Sequence, residues 1–413
     1  MHLRYAKGGG LLSLMVGEGL AVSGSREASE TANPAGSVVL HVMWHDQYGI
    51  GATLEELLPG LARAGLDIRL ILLGPRHGSL DRLRRLVDAG IPVQAAPIHR
   101  VPRWIRPRFL AHIPTAFRLA ERMRRVHPDI VHCHELLGLG AALLLRLRTG
   151  CRVAATVHGF AGHYGFYDRA FRFLVSLADC SVTLTEEDHR AFRRSACARR
   201  AVLMRNGVDV GRWSRAAARS ASLRKELGIP ADSFVIGLVG RLVPEKGHVS
   251  FLRKTDQYDW MTPTRTDVLV VGEGEQEEKI RAAAKELALE GHVHFLGFRT
   301  DMPAVYRTLD VLALPSLRET QPMVVLEAMA CGVSVAAVDV GRVGAMLAGG
   351  AGIAIPNDRR ETFVAALETL RDSAARTRVE QKGHERVRRR FDIPHLSWGY
   401  RVLVYGPLLD SAR

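Results

Sequence analysis

The chain has 413 residues, of which 47% are hydrophobic and 24% charged, and its formal net charge is +14. That length is long for one core and predicts two domains, and the composition is that of a globular protein in water. No apolar run reaches the roughly 18 residues that a membrane-spanning helix needs. The five cysteines are scattered and form no C-x-x-C pair, which argues against a disulfide framework or a zinc site and favours a cytoplasmic protein.

Residues 1–36 differ from the rest of the chain. Basic residues followed by a mildly apolar stretch loosely resemble a secretion signal, which we keep as an alternative. Glu18 and several glycines interrupt that stretch, so we predict a disordered tail.

From residue 37 onward, short runs rich in β-branched residues alternate with segments of helical spacing. The first series of predicted strands covers 37–44, 67–74, 129–134, 152–159 and 180–185. The helices predicted between them cover 53–64, 108–126 and 137–148. Such alternation is typical of parallel βαβ units with helices on both faces of a sheet.

A second series of strands begins after the Asn-Gly-Val-Asp turn at 206–209 and covers 234–240, 267–274, 292–298, 311–316 and 334–340. The segment 211–232 has no strand pattern and suits a linker, whereas 248–266 lacks a sustained apolar stripe. We therefore predict an α/β protein with two doubly wound, Rossmann-like domains, 37–210 and 211–390, that face each other across a cleft. The last residues, 391–413, are predicted to form a helical segment that packs back on the first domain.

The positive charge is concentrated between His99 and Arg125, where eight arginines face one acid, Glu121. Aromatic and aliphatic side chains are interleaved with them. A solvated helix face explains the pattern, and so does a surface that docks on anionic lipid at the inner membrane face or receives an acidic acceptor. Nucleic acid is not predicted as a partner, because no supporting motif is present.

The stretch VGRLVPEKG at 239–247 follows a predicted strand and carries Arg241 and Lys246. It is not a phosphate-binding P-loop, since G-x-x-x-x-G-K-[ST] is absent. Taken alone, it reads most simply as a surface loop with two solvated cations. At a strand end that faces a cleft, however, a guanidinium and an ammonium can converge on one anion.

The stretch RETQPMVVLEAMACG at 318–332 predicts a helix that begins at Pro322, with Thr320 or Gln321 as its cap. The free N–H groups at its start favour an anion such as a diphosphate. Glu327 interrupts an otherwise apolar run, and a buried carboxylate needs a partner. The hydroxyls of a ribose would be such a partner, while those of a sugar would meet Glu319 in the loop above.

Together with LEAMACGVSVAAVDVG at 326–341 and VGEGE at 271–275, these motifs resemble the signatures of glycosyltransferase family 4. That family consists of retaining enzymes of the GT-B fold, so the resemblance implies transfer of a sugar from a UDP- or GDP-linked donor. The acceptor would be a hydroxyl of a glycan, a lipid-linked sugar or a small molecule, in cell-surface polysaccharide or glycolipid synthesis. Because arginine and lysine take the electrostatic role of a metal ion, no metal or other cofactor is expected.

The resemblance also implies a role for each matching residue. Arg241 and Lys246 would bind the donor diphosphate and stabilise the leaving nucleotide. Glu319 would contact the transferred sugar, and His158, in TVHGF at 156–160, would lie near the reacting centre. The remaining donor contacts would come from Gly49 and Gly51 in an N-terminal loop and from Thr320, Gln321, Pro322, Met323, Val324 and Glu327.

The chain departs from the family pattern at two places. YGIGA at 48–52 replaces the usual Gly-Gly of the N-terminal loop, and RVGAML at 342–347 replaces the usual Pro-Glu.

Three alternatives remain. HCHE at 132–135 places His132 and His134 on one face of a strand, where a metal would need further ligands that the sequence does not reveal. A nucleotide-sugar epimerase of the same fold would share the donor site. A non-catalytic basic binding protein would share the charge.

Overall fold

The computed structural model describes residues 37–44, 48–74, 79–96, 113–158, 166–194, 200–255, 265–356 and 360–410. The predicted tail at 1–36, residues 97–112 of the basic region and residues 256–264 lie outside these ranges. Within them, no helix is both long and apolar enough to cross a membrane.

The first domain is built on a seven-stranded sheet in the order β3-β2-β1-β4-β5-β6-β7, with all neighbouring strands parallel. Its strands are β1 Val38–Trp44, β2 Asp67–Leu73, β3 Val93–Ala96, β4 Ile130–Cys133, β5 Arg152–Val157, β6 Cys180–Thr183 and β7 Ala201–Leu203. The helices that connect them are Tyr48–Arg63, Ser79–Asp88, Ile113–Arg124, Leu136–Thr149, Phe166–Leu177 and Glu186–Arg194.

The second domain repeats the plan with six parallel strands in the order β10-β9-β8-β11-β12-β13. These strands are β8 Phe234–Val239, β9 Thr266–Val271, β10 Val293–Gly297, β11 Val311–Leu314, β12 Ser334–Val338 and β13 Ile353–Ile355. Its helices are Val210–Arg219, His248–Lys254, Glu277–Glu286, Met302–Thr308, Met323–Ala330, Val343–Leu347, Arg360–Arg371 and Ser373–Arg390.

Both sheets reverse their strand order once, between β1 and β4 and between β8 and β11. In open parallel sheets, ligands bind outside the carboxyl ends of the strands at such a reversal. The predicted GT-B arrangement of two doubly wound domains is confirmed. The domain boundaries at 37, 211 and 391 stay predictions.

The first helix begins five residues before its predicted start at 53, so Gly49 and Gly51 lie in a helix and not in a loop. Thr53 closes that first turn by donating its hydroxyl to the Gly49 carbonyl at 3.0 Å. Glycine is a poor helix former, so propensity alone hides this start. The segment 211–232, predicted as a linker, contains helix Val210–Arg219, which packs through buried Trp213.

The last described residues pack on the first domain. Helix Ile393–Gly399, a π-helical turn Tyr400–Tyr405 and helix Gly406–Asp410 follow the second domain. Tyr400 and Tyr405 are buried in the same apolar core as strands β1 and β2. The turn at 400–405 is therefore part of the first domain's core.

Candidate active site

A cavity of about 880 Å³ lies between the two domains, and residues that follow strands of both sheets line it. Its wall in the second domain includes the loops after β8 and β9 and the start of helix Met323–Ala330. Its wall in the first domain includes residues after β4 and β5 and the start of helix Tyr48–Arg63. Every predicted site residue lines this cavity except Gly51, which is buried inside its helix.

The two predicted cations stand on one loop but differ in their surroundings. Arg241 is exposed and has no ion-pair partner among the residues that the structure describes. Lys246 ends a short 3-10 turn, and its Nζ lies 2.5 Å from Oε1 of Glu319. The loop that carries both cations can pack closely on the residue after β9 because that residue, Gly272, has no side chain. The φ of Gly272 is +139°, and a Cβ there would come within 1.9 Å of the Gly240 carbonyl oxygen. One cation is therefore open to a ligand, and the other is already placed against the predicted sugar-binding carboxylate.

Glu327 finds its partner inside the protein. Its side chain is buried in helix Met323–Ala330, and its Oε2 accepts a hydrogen bond from the Tyr306 hydroxyl at 2.7 Å. Burial, followed by the nearby Glu327 carboxylate, raises the pKa of Tyr306 well above its usual value. The sequence predicted that Glu327 needed a partner but did not reveal Tyr306. Because Glu327 also lines the cavity, a ribose hydroxyl would add to this contact.

The predicted cap of that helix is wrong. The helix begins at Met323 and Pro322 is the residue before it, without a side-chain cap. Gln321 turns away to the first domain: its Oε1 accepts the backbone N–H of Asn206 at 2.9 Å, and its backbone carbonyl accepts the Asn206 side-chain amide at 3.1 Å. Gln321 thus fastens the start of the helix to the 206–209 turn.

Histidines line the other side of the cavity. The Nε2 atom of His158 lies 2.9 Å from Nδ1 of His134, and Nε2 of His134 lies 3.1 Å from Nδ1 of His41. Burial lowers the pKa of His158 to about 4, so this ring is neutral at neutral pH. His158 therefore faces the cavity as an uncharged hydrogen-bonding group.

A third histidine, which the sequence analysis did not find, joins the pair at 132 and 134. His41 on β1 is paired in register with His132 on β4, and the nearest ring nitrogens of His41, His132 and His134 all lie within 4.8 Å of one another. His132 is held by the Tyr405 and Thr156 hydroxyls, both at 2.7 Å, and Tyr405 also lies 3.2 Å from His41. A neutral imidazole has one lone pair, and these hydrogen bonds use it on each ring. A metal ion bound by these histidines would have to replace those bonds.

Two family models match the chain on either side of the cavity. Residues 48–212 match the model described as Glycosyltransferase Family 4, and residues 220–386 match the one described as Glycosyl transferases group 1. The chain belongs to glycosyltransferase family 4.

Named relatives of this family 4 glycosyltransferase act on different substrates. A D-inositol 3-phosphate glycosyltransferase of Corynebacterium jeikeium is 33% identical over 74% of this chain and 78% of its own length. A 2-deoxystreptamine N-acetyl-D-glucosaminyltransferase of Streptomyces fradiae is 30% identical over 68% of each chain. Among solved structures, HepE of Anabaena in complex with UDP and glucose has a TM-score of 0.74 at 19% identity, covering 90% of this chain and all of that one. Nucleotide-sugar-dependent glycosyl transfer is therefore the activity that the family membership supports.

Family membership does not reveal one further residue at the base of the cavity. Glu56, on helix Tyr48–Arg63, is buried and accepts hydrogen bonds from the backbone of Asp209 at 2.8 Å and from Nε1 of Trp213 at 2.9 Å. The Arg212 guanidinium pairs with the same carboxylate. A glutamate in an amphipathic helix reads as solvent-facing, so only the structure shows that Glu56 joins the first domain to helix Val210–Arg219.

Proposed function

We propose that this glycosyltransferase moves a sugar from a UDP- or GDP-linked donor to a hydroxyl of a glycan, a lipid-linked sugar or a small polyol, with retention of configuration. The observation that carries the proposal is the Lys246–Glu319 ion pair beside the start of helix Met323–Ala330, together with the exposed Arg241 on the same loop as Lys246. A diphosphate and a sugar need a cationic and an anionic group side by side, and this pair supplies both.

The donor is held from the second domain. The diphosphate lies between Arg241, Lys246 and the N–H groups at the helix start, where the helix dipole also favours negative charge. The ribose meets Glu327, and the sugar meets Glu319. On binding, Lys246 exchanges part of its contact with Glu319 for a phosphate oxygen.

The names of the relatives favour small polyols as the first acceptors to test, since one acts on an inositol phosphate and one on an aminocyclitol. The first experiment incubates the protein with UDP- and GDP-linked hexoses and a panel of polyols and glycans, and measures released UDP and GDP. We expect one donor–acceptor pair to give rapid release. Release of a free, epimerised sugar would instead show an epimerase, and no turnover with any donor would contradict the proposal.

Lys246→Ala tests the assigned cation in the same assay. We expect transfer to fall about a hundredfold or more, the usual loss when one charge-stabilising donor is removed. Lys279→Ala, on an exposed face of helix Glu277–Glu286, is the matched control and keeps full activity. Near-normal rates for Lys246→Ala at low donor concentration would mean that the cleft is misassigned.

Retention is supported by His158 and Glu135, two cavity residues of the first domain that could serve as the base of an inverting reaction, because neither is suited to that role. His158, with its pKa lowered to about 4, is too weak a base at neutral pH. Burial raises the pKa of Glu135 to about 7, but both of its oxygens accept backbone N–H groups, from Leu137 and Gly138, at 2.7 Å. The leaving phosphate oxygen is then the group that takes the acceptor's proton on the same face. Proton NMR of the product from an α-linked donor tests this, and a β-linked product would contradict it.

We also propose that transfer needs no metal ion, because Arg241, Lys246 and the helix start stabilise the departing diphosphate. Turnover in EDTA is expected to equal turnover in magnesium. Loss of activity on chelation, with recovery on adding magnesium or manganese, would overturn this mechanism.

A further inference from the structure

The histidines behind the cavity belong to one unbroken hydrogen-bonded chain of side chains that passes through the C-terminal segment. From the cavity inward, its members are His158, His134, His41, Tyr405, His132 and Thr156. His41, His132 and Tyr405 are fully buried, so no water competes for these bonds. The nitrogen that carries the proton on one ring therefore determines which nitrogen carries the proton on the next ring.

Each neutral imidazole fixes the direction, from donor to acceptor, of its second hydrogen bond once the first is set. Burial lowers the pKa of His41, His132 and His134 well below the usual value, so the rings are neutral. A neutral imidazole donates from one nitrogen and accepts at the other. The three linked rings of His158, His134 and His41 consequently have only two consistent arrangements, one in which both bonds point inward from His158 and one in which both point outward.

Tyr405 decides between the two arrangements. Its hydroxyl oxygen lies 2.7 Å from Nδ1 of His132 and 3.2 Å from Nε2 of His41. A hydroxyl donor makes shorter hydrogen bonds than a ring N–H does. The 3.2 Å contact is longer than the 2.5–3.0 Å that is usual for a hydroxyl donor, so it is His41 donating from Nε2 to the phenol oxygen.

The assignment passes from Tyr405 to the cavity in two steps. If Nε2 of His41 carries the proton, its Nδ1 accepts from Nε2 of His134. Nδ1 of His134 then accepts from Nε2 of His158. We propose that Tyr405, His41 and His134 are positioning residues that hold His158 in the Nε2–H tautomer, with the lone pair of its Nδ1 left for a substrate hydroxyl.

This proposal rests on the proposed function only for what His158 does with that lone pair. Among the residues that the structure describes, Nδ1 of His158 has no partner, and the ring lines the cavity. With its tautomer fixed, His158 can accept a hydrogen bond from a hydroxyl of the donor sugar. The wrong tautomer would present an N–H group there and would reject the same hydroxyl orientation.

The test is long-range proton–nitrogen NMR of the full-length protein with ¹⁵N-labelled histidine, which distinguishes the two tautomers of each ring. The His158 signals are identified by their loss in His158→Asn. We expect the wild type, without any ligand, to show His158 as a single Nε2–H tautomer. An Nδ1–H tautomer, or a mixture of both, would overturn the proposal without need of a variant.

Tyr405→Phe removes the hydroxyl that sets the direction. We expect His158 to become a mixture of tautomers and kcat to fall threefold to about tenfold, with the donor KM changed by less than about twofold, since part of the population keeps the active tautomer. Tyr400→Phe is the matched control, because it removes a buried hydroxyl from the same turn but leaves the Tyr405 junction intact. Unchanged tautomers in Tyr405→Phe would exclude Tyr405 as the positioning group.

Two further outcomes remain distinguishable. If the protein is inactive with every donor but shows the expected tautomers, the proposed function is contradicted and this inference is supported. Zinc or cobalt is also titrated into the wild-type protein and detected by its content and absorption spectrum. One ion bound tightly by His41, His132 and His134 would show a metal site in place of the hydrogen-bonded chain.

Discussion

The carboxylate of Glu327 lies among the apolar side chains of helix Met323–Ala330, where a charge is costly to desolvate. It is retained there with a hydrogen bond from the Tyr306 phenol, and that phenol packs edge-on against Trp213. Replacing Glu327 by alanine would leave the buried phenol with only its long, 3.4 Å contact to the Val324 carbonyl, a cost of about 1–3 kcal/mol in folding. A substitution that separates binding from folding must therefore keep the shape of the side chain.

Glu327→Gln is expected to weaken UDP or GDP binding about tenfold, because a hydrogen bond to a charged group contributes roughly 1.5–3 kcal/mol. Tyr306→Phe is its matched control: it removes the other half of the same hydrogen bond and leaves the carboxylate in the cavity. Isothermal calorimetry with the nucleotide gives the affinity, and thermal unfolding reports the folding cost of each change. Equal losses of affinity in the two variants would mean that Glu327 acts only through Tyr306.

For single residues, the sequence predicts the chemistry of a side chain better than it predicts which other residues that side chain contacts. Glu327 needs a partner, and the sequence shows this, but Tyr306 is 21 residues away and reads as an ordinary helical residue. His41 stands in an apolar strand, and its pairing with His132 depends on the register of β1 against β4. Register between distant strands has no local pattern that could reveal it.

Loops at the ends of strands set the shape of the proposed donor pocket. Gly341 has a φ of +60°, and a Cβ on it would lie 1.9 Å from the carbonyl oxygen of Glu319. The next residue, Arg342, donates its N–H to the Thr320 carbonyl at 3.1 Å. The stretch that replaces the usual Pro-Glu thus supports the loop that carries Glu319.

Gly341→Ala is expected to displace that loop and to lower nucleotide affinity about tenfold or more, since an atom placed 1.9 Å from a backbone oxygen forces the loop to move. Gly332→Ala is the matched control, because Gly332 has a φ of +76° but a Cβ added to it would meet no described atom within 4 Å. Both variants carry a similar backbone cost, of roughly 1 kcal/mol. A normal affinity in Gly341→Ala would show that the Glu319 loop does not need this support.

The helix Ile113–Arg124 is the part of the basic region that the structure describes. Ile113 and Phe117 are 47% and 43% exposed, and Arg118 is exposed beside them. An exposed aromatic next to arginines suits the interfacial zone of an anionic membrane.

We therefore expect binding to anionic vesicles that weakens as salt is raised, because exposed charges are screened over about 10 Å at 0.1 M salt. Changing Arg118, Arg122 and Arg125 to glutamine should abolish most of this binding in a flotation assay. The matched control changes Arg388, Arg389 and Arg390, which are also exposed, and removes the same charge elsewhere. Similar losses in both triple variants would mean that only net charge matters and that the helix is not the docking surface.

Strand prediction fails only where strands are short and lie at an edge. The sequence analysis predicted the central strands of both sheets to within a few residues, since buried β-branched runs are a strong local signal. It missed β3, β7 and β13, which have three or four residues and end their sheets. Such strands form because a neighbouring edge offers hydrogen bonds, and not because their own sequence requires it.

The two domains are joined by buried polar contacts as well as by the chain. Gln321 binds Asn206, and Glu56 binds Trp213 and the backbone of Asp209. At the surface, Arg342 also approaches the exposed side chain of Glu186 of the first domain at 3.6 Å. Buried polar contacts of this kind fix one arrangement of the two halves, since breaking them leaves unpaired groups behind.

The buried histidines predict how stability of the whole molecule depends on pH. Their pKa values are lowered in the folded state, to about 4 for His158, so the unfolded chain binds more protons as pH falls below 6.5. Their contribution to stability is full above pH 6.5 and is lost as pH falls towards 4, and burial lowers the pKa of His248 to about 4 as well. Glu135, whose pKa is raised to about 7, and Glu380, whose pKa is also raised, act in the opposite direction but are two groups against five histidines.

We expect the free energy of unfolding to fall by about 2 kcal/mol or more between pH 7 and pH 5, since one pKa unit corresponds to about 1.4 kcal/mol. Urea denaturation at the two pH values measures the difference. His41→Gln should reduce this dependence on pH, whereas His395→Gln, at an exposed position, should not. A pH dependence that is the same in all three proteins would show that other groups control acid stability.

During synthesis, the strands of the first domain leave the ribosome long before Tyr400 and Tyr405, which complete its core. Tyr400 and Tyr405 belong to the core around β1 and β2, yet more than 300 residues separate them from those strands, and the second domain lies between. At roughly 5–20 residues per second, the nascent first domain waits many seconds with an open core while its other strands are already available. Truncations before Tyr400, and tags that keep the last turns from docking, should therefore yield a chain whose first half is the less stable one.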